Sequence, residues 1–224
     1  MGDSSPKVLS LVLIFCPQGI MFKGKKMALQ KLNTSISEQN YLKGELVSDI
    51  KHEYINGELF AMVGAKINHN RLAATINGEF RIHLKGKSCD SLQSDFKVRI
   101  GTKYFYPDIV VKCDRDDDHE EYTEHPIVIV EITSESTRKF DRTYKLDVYK
   151  TIPSLQEYVI VEQDYVMIDI YKRLADNWHH TKYTLGDSIH FESIGLTLTV
   201  EEIYHRVDNE DMLIYLGKNS KISV

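Results

Sequence analysis

A chain of 224 residues with 42% hydrophobic and 27% charged positions has material for one sizeable core, and one domain is the default at that length. The formal net charge of −5 argues against a general polyanion binder, because nucleic-acid affinity draws on Lys and Arg displacing counterions from phosphates. Cys16, Cys89 and Cys113 are odd in number, lie far apart and have no spacing typical of a zinc site or a disulfide framework, so a reducing, cytoplasmic setting is expected.

At the start of the chain, residues 8–16 form an apolar run that is too short to span a bilayer and lacks a clear small-residue cleavage site. Residues 1–26 are read as an upstream extension, residues 27–207 as a single α/β domain, and residues 208–224 as a tail. Within the domain, residues 35–49 suit a short surface helix capped by Ser37, and residues 52–63 suit a hairpin turning on Asn56-Gly57, a dipeptide that tolerates the positive φ such turns require. Leu72, Ile76, Phe80 and Leu84 recur every four residues, the stripe of an amphipathic helix over 68–84.

Strand patterns follow over 94–100 and 104–113. Residues 127–132 are so continuously apolar that they should form a central strand covered on both faces, interrupted only by Glu131. Residues 140–151 read as a helix that Pro153 terminates. Strands are expected over 157–162, 166–173 and 178–183, with a turn at Gln163-Asp164-Tyr165 and a last short helix over 198–207.

Asp108, at the head of one apolar run, and Glu131, near the end of another, are carboxylates at the margins of buried strands. Burying a lone carboxylate is costly, so each needs a partner. On neighbouring strands the two would converge on one oxygen-preferring cation, Mg²⁺ or Mn²⁺, able to activate water and offset charge on a phosphodiester. Asp141, Lys145 and Tyr149, at i, i+4 and i+8, share one helix face, which would bring Lys145 near the acids to steady negative charge or position the attacking water.

Other polar residues carry plainer readings. Asp95 is read first as a partner of nearby bases and second as an additional acid. Glu53 and Glu58 flank the turn, where polar residues are ordinary, although one of them would serve as an auxiliary ligand. His69 is a cap or a packed histidine before it is a base. The acidic run from Asp114 to Glu121 lacks the glycine and closing glutamate of a calcium loop and reads as solvated, and His179-His180 decorates a strand end. Local basic segments do exist. Residues 81–103 hold six bases against two acids and residues 138–150 five against two, which makes Lys97, Arg99 and Arg142 candidate phosphate contacts.

Tyr54-Ile55-Asn56-Gly57-Glu58, His69, Pro107-Asp108, Pro126 with Glu131-Ile132-Thr133-Ser134, the Asp141/Lys145/Tyr149 helix and Glu157-Tyr158 follow one another in an order that resembles the Uma-two endonucleases of the PD-(D/E)XK nuclease superfamily. The resemblance runs from about residue 35 to about residue 171. It implies a restriction-endonuclease-like core, a mixed sheet flanked by helices, with Mg- or Mn-dependent cleavage of DNA and Asp108 and Glu131 as the metal-binding acids. The superfamily pattern asks for Lys two residues after the second acid, where Thr133 stands; Lys145 is the natural substitute. A homodimer would suit an enzyme that cuts both strands. The rival readings are a non-catalytic nucleic-acid or protein-binding module on the same fold, and a hydrolase acting on a small phosphoester.

Overall fold

The computed structural model describes residues 35–62, 64–113, 119–175 and 177–217. The expected upstream extension, Cys16 and the acidic run from Asp114 to Asp118 lie outside them. In chain order the elements are α1 (Glu38–Glu45), β1 (His52–Ile55), β2 (Glu58–Ala61), α2 (Ile67–Leu84), β3 (Cys89–Gln93), β4 (Lys97–Ile100), β5 (Lys103–Phe105), β6 (Ile109–Cys113), β7 (Tyr122–Thr123) and β8 (Pro126–Thr133). A helical crossover follows, made of α3 (Arg138–Phe140), a π-helical turn (Asp141–Lys145) and α4 (Leu146–Tyr149). The chain continues as β9 (Glu157–Glu162), β10 (Ile168–Leu174), β11 (Asn177–Tyr183), β12 (Ser188–Phe191), β13 (Leu196–Thr199), α5 (Val200–Ile203) and α6 (Glu210–Tyr215).

The main sheet has the order β11-β10-β9-β8-β6-β3 and the second has β2-β1-β5-β4-β7, with β12-β13 as a separate hairpin. Both larger sheets are mixed. In the main sheet, β8 and β9 run parallel and the other pairs antiparallel. A parallel pair cannot be closed by a tight turn, so the crossover from β8 to β9 carries the helical segment over one face of the sheet. As its composition predicts, β8 is central and covered on both sides. Val128, Val130 and Ile132 pack into the core under α2, while Ile129 joins Val110, Tyr158 and Ile160 beneath Leu146 and Tyr149. The period of two places Glu131 on the Ile129 face, under the crossover.

The α2 stripe behaves as its spacing requires, with Leu72, Ile76, Phe80 and Leu84 all buried. The hairpin turns on Asn56 (φ 51°) and Gly57 (φ 95°), both left-handed. Several expectations need correction. The run 104–113 is two strands in different sheets, β5 and β6, divided at Pro107-Asp108, because proline has no N–H to donate to a ladder. Residues 94–100 form a strand only from Lys97, while β3, with its polar Asp90, Ser91 and Gln93, gave no alternating signal and is an edge strand. The last helix is preceded by the β12-β13 hairpin, and the stretch read as a tail holds α6, capped by the Asn209 side chain and buried through Met212.

The expectation that the cysteines form no disulfide is also overturned. Cys89 and Cys113 form a disulfide across 24 residues of sequence, because they are direct partners in the β3–β6 ladder. Linear spacing does not reveal that pairing. No helix among the described residues is long and apolar enough to cross a membrane.

Candidate active site

Where β6 and β8 pair antiparallel, Ile109 stands opposite Val130, so Asp108 and Glu131 are the next residues at that end of the ladder. Asp108 accepts the Ile132 backbone N–H at its Oδ2 (2.7 Å), and its Oδ1 lies 3.2 Å from His69 Nε2, supplied by the first turns of α2. Glu131 is buried in the centre of the sheet at 5% exposure. Its Oε1 accepts from Lys145 Nζ at 3.0 Å and from the Tyr149 hydroxyl at 2.9 Å.

Lys145 is the hub of the cluster. Its ammonium lies 2.8 Å from Glu53 Oε1 and 3.7 Å from Asp141 Oδ1 as well as against Glu131, and the rings of Phe105 and Phe140 flank it at 5.7 and 5.9 Å. The helix that delivers it departs from α-helical geometry at Asp141–Lys145, where one π-helical turn widens the coil. Such turns are often found at functional sites, where they redirect side chains. Thr133, at the position where a lysine was sought, is fully buried; its hydroxyl lies 3.2 Å from Thr137 Oγ1, and both threonines pull the Asp141 carboxyl down against its burial. A hydroxyl therefore stands on β8 where a lysine was sought, and the ammonium arrives from the crossover.

Charge in this cluster is unbalanced. Glu53, Asp108, Glu131 and Asp141 face the Lys145 ammonium and His69. Burial is the chief reason that Glu131 holds its proton well above the usual carboxylate range; Asp141, Asp108 and Glu53 add to it and Lys145 opposes. Glu53 and Asp141 are raised for the same first reason. Burial alone would depress Lys145, yet the combined pull of Glu131, Glu53 and Asp141 keeps its ammonium charged well past the ordinary lysine range. For His69, burial opposes protonation, but the bond and charge of Asp108 outweigh it and raise its pKa.

The other residues singled out in the sequence lie elsewhere. Asp95 is on the surface, paired with Lys51. Glu58 sits beside the hairpin turn, opposite Ile55, and Glu53, further along β1, is the hairpin acid that reaches Lys145. Lys97 is buried at 5% exposure, 5.3 Å from the Tyr106 ring centroid. Arg99 divides its guanidinium between Glu38 and Glu124, and Arg142 reaches Glu162 Oε1 at 2.9 Å and Asp169 Oδ2 at 2.6 Å. Arg99 and Arg142 thus have internal acid partners, brought to them by pairing between distant segments, and Lys97 is buried beside a ring, which weighs against the phosphate-contact reading of these three bases. The signal that would have favoured Glu53 over Glu58 was its register, an acid in mid-strand between His52 and Tyr54, away from the turn.

The donor set suits a hard divalent cation. Among the described residues no three His, Cys, Asp or Glu side chains are grouped as a ready metal site. Mg²⁺, however, keeps several of its waters and commonly takes only one or two carboxylates, and the surplus of buried negative charge favours a cation here. Asp108 and Glu131, at neighbouring ladder positions, are the pair that would hold it.

The chain is similar to known proteins over most of its length. The family described as "Putative restriction endonuclease", Uma2, matches residues 39–201. The chain is 35% identical over 173 residues to an uncharacterized Synechocystis protein, slr1290, covering 75% of this chain and 91% of that one. A second uncharacterized Synechocystis protein, sll1609, is 28% identical over 162 residues, covering 70% and 92%. The fold is similar to the crystal structure of a putative nuclease from Anabaena variabilis ATCC 29413, with a TM-score of 0.62 at 17% identity over 75% of this chain and 97% of that one. The sequence match, spanning both acids and the lysine-bearing crossover, shows that the chain belongs to the Uma2 family.

Proposed function

We propose that this protein is a divalent-metal-dependent DNA endonuclease with a restriction-endonuclease-like core. The observation that carries the reading is the buried Lys145 ammonium, gathered among Glu53, Glu131 and Asp141 while Asp108 flanks Glu131 at the strand ends. A cluster that brings together more carboxylates than its bases neutralise is poor stabilising material, since replacing a buried ion pair with apolar groups is often neutral or better. Its presence fits a site built for chemistry.

In this reading Asp108 and Glu131 would hold Mg²⁺ or Mn²⁺, which supplies Lewis acidity toward a phosphoryl oxygen and a lowered water pKa. Lys145, kept charged by its acids, stabilises the negative charge that grows on the phosphoryl oxygens as the water attacks. Glu53 and Tyr149 restrict where Lys145 and Glu131 point. His69, with its pKa raised by Asp108, holds Asp108 in place from the other side.

A second reading, a binding module without chemistry, draws on Thr133 at the usual lysine position and on the lack of a three-ligand metal group among the described residues. The deciding experiment incubates the purified protein with supercoiled and linear DNA, with Mg²⁺ or Mn²⁺ and with EDTA. Metal-dependent nicking that Glu131→Gln abolishes supports the endonuclease. Intact DNA throughout, with DNA affinity unchanged in Glu131→Gln, supports the binding module.

A further inference from the structure

A disulfide lies away from the acids, at an edge of the main sheet. The Cys89–Cys113 bridge joins the edge strand β3 to β6 at directly paired positions, and among the described residues β3 has no strand on its other side. Cys89 also lines an open cavity of about 550 Å³ formed by the end of α2 and the turn into β3. Arg81, Lys85 and Lys87 stand around that cavity, with Asp90 as the acid among its lining residues. Asp90 is shared with Arg81 at 3.4 Å. Cys89 therefore borders an opening of the size of a small molecule whose lining carries three bases and one acid, a setting that attracts anionic thiols.

We infer that the Cys89–Cys113 bridge is a thiol–disulfide exchange site, and that the cavity beside it selects a small anionic thiol of the glutathione type. The incoming thiolate attacks Cys89 Sγ in line with the bridge; the S–S bond breaks and Cys113 Sγ leaves as a thiolate, which takes a proton. A second thiolate attacks the outer sulfur of the mixed disulfide on Cys89, releasing the small disulfide and the Cys89 thiolate, which is protonated in turn. Two electrons and two protons pass from two thiols to the protein. The oxidised small molecule reverses the same steps.

The consequence is local. With the bridge closed, β3 is fastened to β6 at its first residue, and α2 is tied to β3 through Asn77 to Ser91 and Gln93 and through Arg81 to the Ser91 carbonyl. Opening the bridge leaves the start of an edge strand held by its ladder and by the side chains of α2, the kind of element that opens first. This inference does not depend on the endonuclease reading.

The test compares reduction of the oxidised full-length protein by glutathione and by uncharged 2-mercaptoethanol, with rates normalised to thiolate concentration and sites read by alkylation and mass spectrometry. Glutathione should react about tenfold faster at low salt, as expected for steering by a few charges. The advantage should vanish at high salt and in the Lys85→Gln/Lys87→Gln variant, and trapped mixed disulfide should sit on Cys89. Equal rates at low salt, adducts on Cys113, or an air-oxidised folded protein with both cysteines free would overturn the inference.

Discussion

Glu53 Oε1 and the Lys145 ammonium lie 2.8 Å apart, although Glu53 belongs to the five-stranded sheet and Lys145 to the crossover of the six-stranded one. This contact ties the two sheets together at the candidate site and fixes the direction of the one buried ammonium there. Glu53→Gln keeps the size of the side chain and removes its charge, so Lys145 loses one of the acids that keep it protonated. Metal-dependent cleavage should fall by about tenfold, and its loss at alkaline pH should begin at lower pH than in the wild type. A pH–rate profile measures both effects.

Glu131 is the acid most burdened by burial and by its neighbours. Glu131→Gln removes that burden. Without metal, the variant should be as stable as the wild type or more so, by up to about 2 kcal/mol, in the manner of other relieved functional sites. It should also lack the stabilisation by Mg²⁺ expected of the wild type, as thermal unfolding with and without the ion would record.

The pH dependence of stability follows from the same groups. Glu53, Glu131 and Asp141 have folded pKa values above their unfolded ones, burial being the first cause in each. Between the ordinary carboxylate range, about 4, and those raised values the folded state binds more protons than the unfolded one. The stability they contribute is fully present below that range and is lost as pH rises through the raised values. Lys145 is also raised, so its contribution persists through neutrality and fades only in alkali. Metal-free protein should therefore lose stability from mildly acidic toward neutral pH, and stabilisation by Mg²⁺ should grow over the same interval as the ion displaces protons. Denaturant titrations at several pH values provide the check.

Arg142 separates an internal role from a DNA-binding one. It lies between Glu162 and Asp169, both with fully buried side chains, and His180 Nε2 is 2.6 Å from Asp169 Oδ1. Arg142→Ala leaves buried carboxylates short of a partner and should cost about 3 kcal/mol of stability. The salt dependence of DNA binding should remain that of the wild type. A reduced salt slope with stability unchanged would return Arg142 to the phosphate backbone.

Local patterns made some parts of the structure legible in the sequence. The four-residue stripe of α2, the Asn56-Gly57 turn and the unbroken apolar run of β8 each state their own structure, and Glu131 stands out as the single charge in that run. The Asp141/Lys145/Tyr149 spacing brought the crossover face into view. What escaped depends on pairing between distant segments. Cys89 meets Cys113, Glu53 meets Lys145, and Arg142 meets Glu162 and Asp169 only through sheet register and packing. The π-helical turn was hidden too, because the spacing of Asp141 and Lys145 reads equally well on an ordinary helix.

The proposed role of Lys145, the catalytic ammonium in place of a lysine at Thr133, is tested most directly by single-turnover cleavage of supercoiled DNA by Lys145→Ala. The variant should be matched to the wild type for folding by circular dichroism and for Mg²⁺ binding. The account predicts a rate lower by a factor of about 10²–10³, the usual cost of removing one transition-state charge contact. A folded, metal-binding Lys145→Ala that cleaves at the wild-type rate would contradict it.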